Sequence, residues 1–181
     1  MSRLPPLVYE ELNDEQKKLY DVIASTRDGV VSGPQIAKIR IPPLSYLSQA
    51  VSDILRSNTS LKKTQFEVLI LIVGREFNAD YVWGAHDNDA RKAGLPEKII
   101  DDINYRRRPA FDDEADEVIY DVGMILAKGQ TLPQDLFDKA VKLLGMNKLI
   151  EAATDVGYYM SACMTAKTYA LKARKGTNSL A

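Results

Sequence analysis

The chain has 181 residues, a formal net charge of −1, one cysteine, one histidine and one tryptophan. That length fits one domain, and the near-neutral balance lacks the basic excess of a nucleic-acid surface. A lone cysteine excludes an intramolecular disulfide framework, no apolar run approaches membrane-spanning length, and the first residues lack an apolar signal core, so a cytoplasmic protein is expected.

Residues 1–12 read as an extended arm, fixed by Pro5 and Pro6. Asn13 is placed to cap a helix running to about Ser25, with Leu12, Leu19, Val22 and Ile23 as its apolar contacts. From Thr26 to Ile36 the chain reads as a loop holding Gly29, Gly33 and Pro34. It either faces a substrate, since glycine lets backbone approach a ligand, or is a plain connector. Arg40, just beyond it, is a candidate for holding a substrate carboxylate through its bidentate guanidinium, or is a surface residue. Leu44 to Ser57 reads as a helix with Leu44, Leu47, Val51, Ile54 and Leu55 inward, followed by a Ser57–Ser60 turn.

The stretch from Thr64 to Leu95 is the centre of the chain, because it holds the only histidine, His86, and the only tryptophan, Trp83. Thr64 and Glu67 have capping-box spacing, although an inward Glu67 could not also fold back onto the cap. Val68 to Val73 is apolar without a polar face. Such a run is a buried helix or a buried strand, and its polar flanks favour helix. Asn78 and Asp80 supply a break and a new N-cap, and a second helix is expected over about Tyr81–Lys92, closed at Gly94. On it Ala79, Val82, His86 and Ala90 form an inward stripe. Asp80, Asp87, Asp89, Arg91 and Lys92 suit solvent. If Glu67 faces the stripe, its carboxylate can fix one imidazole nitrogen and leave the other free for proton transfer. The alternative is a satisfied core histidine with a structural carboxylate.

Pro96 opens a helix carrying Ile99, Ile100 and Ile103. Arg106, Arg107 and Arg108 are too few for a nucleic-acid footprint. With the acidic run Asp112–Glu117 they suggest a solvated or intersubunit ion-pair region. Further helices are expected over Phe111–Lys128, Leu132–Leu144 and Asn147–Lys172. The last is rich in apolar and small residues, and its Tyr158 and Tyr159 need polar partners or face a pocket. Residues from Arg174 form a tail expected to be mobile. No nucleotide loop, dinucleotide fingerprint or zinc-ligand set is present, so neither cofactor nor metal is expected.

Glu67, the run Tyr81-Val82-Trp83-Gly84-Ala85-His86 and the run Ala90 to Leu95 resemble the carboxymuconolactone decarboxylase family, within the alkylhydroperoxidase D-like superfamily. Residues 3–7, 12–23, Gly33-Pro34 and 149–158 are similar to the family as well, so the resemblance spans nearly the whole chain. Two positions depart from it. Ala79 and Val82 stand where the peroxidase branch has its Cys-x-x-Cys pair, so thiol peroxidase chemistry is not expected. Val82 also stands where the decarboxylase branch often has Glu, which leaves the substrate open.

The resemblance implies an all-α single domain over residues 1–181. Its bundle would have about seven helices with a central antiparallel pair, assembled as a trimer or hexamer. It implies cofactor-independent loss of carbon dioxide from a lactone acid, with His86 as general acid/base and Glu67 orienting it. Tyr81, Trp83, Arg40, Gly33, Pro34 and Tyr158 are the expected substrate contacts. Isomerisation, dehydration and retro-aldol cleavage could use the same parts. A non-catalytic helical oligomer is the other reading.

Overall fold

A computed structural model describes residues 2–25, 29–173 and 176–181. Thr26, which opens the expected loop, and Arg174, which opens the expected tail, lie outside the described residues. Among the described residues the chain is all-α, without strands. It has nine α-helices rather than about seven: α1 (Asp14–Ser25), α2 (Gln35–Lys38), α3 (Pro42–Ser57), α4 (Lys63–Glu76), α5 (Asp80–Lys92), α6 (Glu97–Asn104), α7 (Glu114–Ala127), α8 (Gln134–Leu144) and α9 (Met146–Thr168). The four-residue α2 starts at the end of the expected loop and runs two residues past it, and a 3-10 turn, Tyr9–Glu11, interrupts the expected extended arm. None of these helices is long and apolar enough to cross a membrane.

The apolar run Val68–Val73 is helical, and every residue of it is buried. It forms the axis of the bundle, surrounded by α5, α6, α7 and α9. Gly123 on α7 allows one of these approaches. A β-carbon there would come within 2.8 Å of Leu69 Cδ2 and 3.0 Å of Ile72 Cδ1. α4 begins two residues earlier than Thr64 as cap implied, with Lys62 as the cap. The side-chain carbonyl of Gln65, not of Glu67, accepts from the Lys62 backbone N–H at 3.0 Å. Glu67 is thereby left free to turn inward.

Asn78 takes a left-handed backbone at φ 47° and turns the chain from α4 into α5. Near this turn Gly74 lies against Trp83, while farther along Glu67 meets His86. The two helices therefore run antiparallel. The expected inward stripe of Ala79, Val82, His86 and Ala90 is buried throughout. Asp87, expected in solvent, is buried too, held by Arg91 Nη2 at 3.0 Å and by Asn178 Nδ2 at 2.5 Å. Its bond to Asn178 belongs to a wider docking of residues 176–181, expected to be mobile, along α5 and α6. Ala181 N donates to Asn104 Oδ1 at 2.9 Å.

The largest departure from expectation is α3. Leu44, Leu47 and Ile54, expected inward, are 49%, 71% and 54% exposed, while Ser45, Gln49 and Ser52 are buried beside Leu55. The helix is amphipathic with its polar face inward. Its periodicity is that of a helix either way, and only a polar interior distinguishes the two orientations. The arginine triplet makes ion pairs within the chain: Arg106 with Glu76, Arg107 with Asp102, and Arg108 with Glu117 and Asp121.

Candidate active site

The polar face of α3 explains itself in the cavity it lines. This cavity, of about 510 Å³, lies between α2, α3, α5 and α9. His86 forms part of its wall, and Glu67 lines an adjoining cleft of about 280 Å³ that shares Arg56, Asp89 and Lys92 with it.

The expected pair is formed. His86 Nδ1 and Glu67 Oε2 are 2.9 Å apart, with residue exposures of 5% and 6%. With Glu67 as carboxylate, Nδ1–H donates and Nε2 is the free acceptor. No described residue bonds Nε2. The Tyr159 ring stands edge-on to the imidazole at 4.9 Å between centroids, and its hydroxyl accepts from Arg56 Nη2 at 3.0 Å. Burial pushes the Tyr159 hydroxyl above its usual range, so it stays neutral.

Of the other expected contacts, Tyr81, Pro34 and Tyr158 line the cavity. Gly33 supports it from behind. It has φ 64°, and a β-carbon there would fall 2.5 Å from the Tyr81 ring, so only glycine fits. Trp83 is not in the wall. It is fully buried in the core, its indole N–H without a partner. His86, three residues on, is offset by only about 60° around α5. Both residues meet α4, but the cavity reaches His86 and not Trp83. Arg40 is not in the wall either. Its guanidinium donates to the Pro5 carbonyl at 2.9 Å and holds the N-terminal arm.

The cations of the cavity are instead Lys38, Arg56 and Lys92. Neither Lys38 nor Arg56 carries a signal in the sequence, since each is a single cation whose burial depends on the packing of other elements. Glu67, His86 and Asp89 bring one ligand atom each within 4.8 Å of one another, a possible three-ligand cation site. The i,i+3 spacing of His86 and Asp89 was its only trace in the sequence. In this arrangement Glu67 and His86 are already bonded to each other.

Asp155 of α9, one turn before Tyr159, is fully buried, and neither of its oxygens has a hydrogen-bond partner. Burial, reinforced by the charge of Glu67 and opposed by that of Arg56, raises its carboxyl well above the usual range. The fold therefore holds a proton that the unfolded chain releases. The resulting destabilisation is absent below the unfolded value of about 3.9 and grows as pH rises toward the folded one. Asp155→Asn is expected to melt at a higher temperature than the native chain at pH 7, by on the order of 1 kcal/mol, and at nearly the same temperature near pH 3. A variant that melts lower at pH 7 would show that the ionised carboxylate is partnered.

No family model matches the chain, and no curated protein matches it. A solved structure with the same fold is a Cys-to-Ala variant of the debrominase Bmp8 in complex with 2,3,4-tribromopyrrole, with a TM-score of 0.76 and 11% identity over 97% of this chain and 95% of that one. At that identity the likeness is one of fold, and it agrees with the all-helical bundle expected from the sequence.

Proposed function

We propose that the chain is a cofactor-independent carbon–carbon lyase that decarboxylates a carboxymuconolactone-like lactone acid or a related carbonyl compound. The observation that carries this reading is the buried Glu67–His86 pair, 2.9 Å apart, with His86 in the wall of a cavity also lined by Lys38, Arg56 and Lys92. A debrominase on the same fold supports an enzymatic role for the scaffold.

In the proposed reaction the bond to the departing carboxylate breaks. Its electron pair passes into the ring and onto the lactone carbonyl as an enolate. His86 Nε2, which takes up a proton from solvent beforehand, delivers it to the carbon that lost the carboxylate, so one solvent proton is consumed for each carbon dioxide released. Glu67 fixes the imidazole so that Nε2 faces the substrate. Tyr81 is placed to donate to the enolate oxygen, and Tyr158 supplies an apolar wall. Thiol chemistry has little support, because burial pushes the Cys163 thiol up to about 12 and the side chain is fully enclosed. The test is carbon dioxide release from 4-carboxymuconolactone. Absence of release, with the chain folded, would reject this substrate and turn the search to related lactones and β-keto acids.

The proposed partner is a second copy of the chain. Ile41, Leu44, Leu47 and Ile54 expose an apolar stripe on α3, and Ile150 and Met164 another on α9. Sedimentation velocity at micromolar protein is expected to show an oligomer. A monomer throughout would remove this part of the proposal.

A further inference from the structure

Lys38 is buried and has no carboxylate partner among the described residues. The residue is 8% exposed, at the end of α2. Its Nζ donates to Ser48 Oγ at 2.5 Å and stands 4.9 Å from the centre of the Tyr158 ring. Among the described residues no carboxylate lies within ion-pair distance of it. A buried charge is ordinarily paired, because desolvation penalises it otherwise. One hydroxyl and one aromatic face offset that penalty only in part.

Two more unsatisfied groups share the cavity. The side-chain carbonyls of Gln35 and Gln49 are buried without a hydrogen-bond partner. The Gln49 amide is oriented by its Nε2, which donates to Asp53 Oδ1 at 2.7 Å, so the group left over is an acceptor. A ring-to-ring path leads from here to the catalytic pair. Tyr158 touches Tyr159 at 5.3 Å, and Tyr159 touches His86 at 4.9 Å. The cation thus sits at the far end of an aromatic wall from the imidazole.

We infer that Lys38 is the anion subsite of the cavity, and that its ligand is a small carboxylate bearing a hydroxyl or N–H group. The carboxylate pairs with the Lys38 ammonium, the donor group meets the Gln35 and Gln49 carbonyls, and the ring of the ligand lies along Tyr158 toward His86. This rests on the reading of the cavity as a substrate site but not on the reaction performed there. It gives the carboxylate-binding role expected of Arg40 to a different residue. The acidic side chain of a second copy could supply the same chemistry, and the experiment separates the two sources.

The probe is 3-hydroxybenzoate, titrated calorimetrically into the full chain beside its neutral isostere 3-hydroxybenzamide and beside benzoate. The native chain is expected to bind 3-hydroxybenzoate more tightly than either. Lys38→Gln and Lys38→Met are expected to weaken 3-hydroxybenzoate by roughly tenfold or more and leave 3-hydroxybenzamide unchanged, while Lys38→Arg retains part of the difference. Two substitutions of different polarity guard against one that fails to fold, which circular dichroism monitors. Equal weakening of acid and amide, or no saturable binding by the native chain, would overturn the inference. So would dissociation of an oligomer on Lys38→Gln with no change in ligand affinity, since the anion would then belong to the neighbouring copy. Dependence of binding on Lys38 without any carbon dioxide release would keep the subsite and reject the decarboxylase reading.

Discussion

His86→Ala is expected to lower carbon dioxide release from a turned-over lactone acid by roughly 100- to 10,000-fold, the usual contribution of a positioned acid/base. The fold should survive, because the imidazole lies at a cavity wall rather than in the centre of the core. Glu67 supplies the control. Glu67→Gln keeps a hydrogen-bonding group at 2.9 Å from Nδ1 but removes the carboxylate. If Glu67 positions the imidazole, this variant loses activity less than His86→Ala, and the pH profile of turnover changes. If the pair is only structural, both variants lose stability and turnover follows the folded fraction. An active His86→Ala would remove His86 from the mechanism. Small residual turnover in the double variant, equal to that of His86→Ala alone, would show that the two act as one unit.

Trp83→Ala is expected to destabilise the chain by about 3–5 kcal/mol, since it empties the largest fully buried side-chain site of the core. For a chain of this size that is a fall in melting temperature on the order of 10 °C. Trp83→Phe should cost far less. It leaves a smaller void and also removes an indole N–H that has no partner. Substrate affinity should be unchanged in Trp83→Phe, because the side chain is fully buried and does not line the cavity. A Trp83→Phe variant with native stability and a raised KM would return Trp83 to the substrate wall, where its sequence motif had suggested it belonged.

Much of the bundle could be read from the sequence, because its helices carry their own punctuation. Asn13 caps α1 through the Gln16 backbone N–H at 2.9 Å, and Gly94 and Gly129 close α5 and α7 in left-handed geometry. The Glu67–His86 pair was legible as well, because a carboxylate in an apolar helix and a histidine on an inward stripe both need an explanation. What could not be read was which side of α3 faces inward. Apolar periodicity assumes that the interior is oil, and here the helix borders a polar cavity. With α3 reversed, Arg56 and Gln49 enter the site. Lys38 and Asp155 escaped for a related reason: each is a charged residue in a segment of ordinary composition, and only the packing of other elements buries it. Arg40 and Trp83 were assigned by chemical type; the Pro5 carbonyl that engages Arg40 is distant in sequence, and Trp83 is enclosed by the core.

The two-sided character of α3 has a thermodynamic consequence. Its inner residues touch whatever fills the cavity, and its outer stripe touches whatever covers the bundle. If a second copy covers the outer stripe, one helix contacts both that copy and the occupant of the cavity, and any coupling between them is reciprocal by necessity. If a neighbouring copy tightens the cavity, a ligand must in turn tighten the assembly. Apparent ligand affinity would then vary with protein concentration, and a titration at a single dilution would measure two equilibria as if they were one.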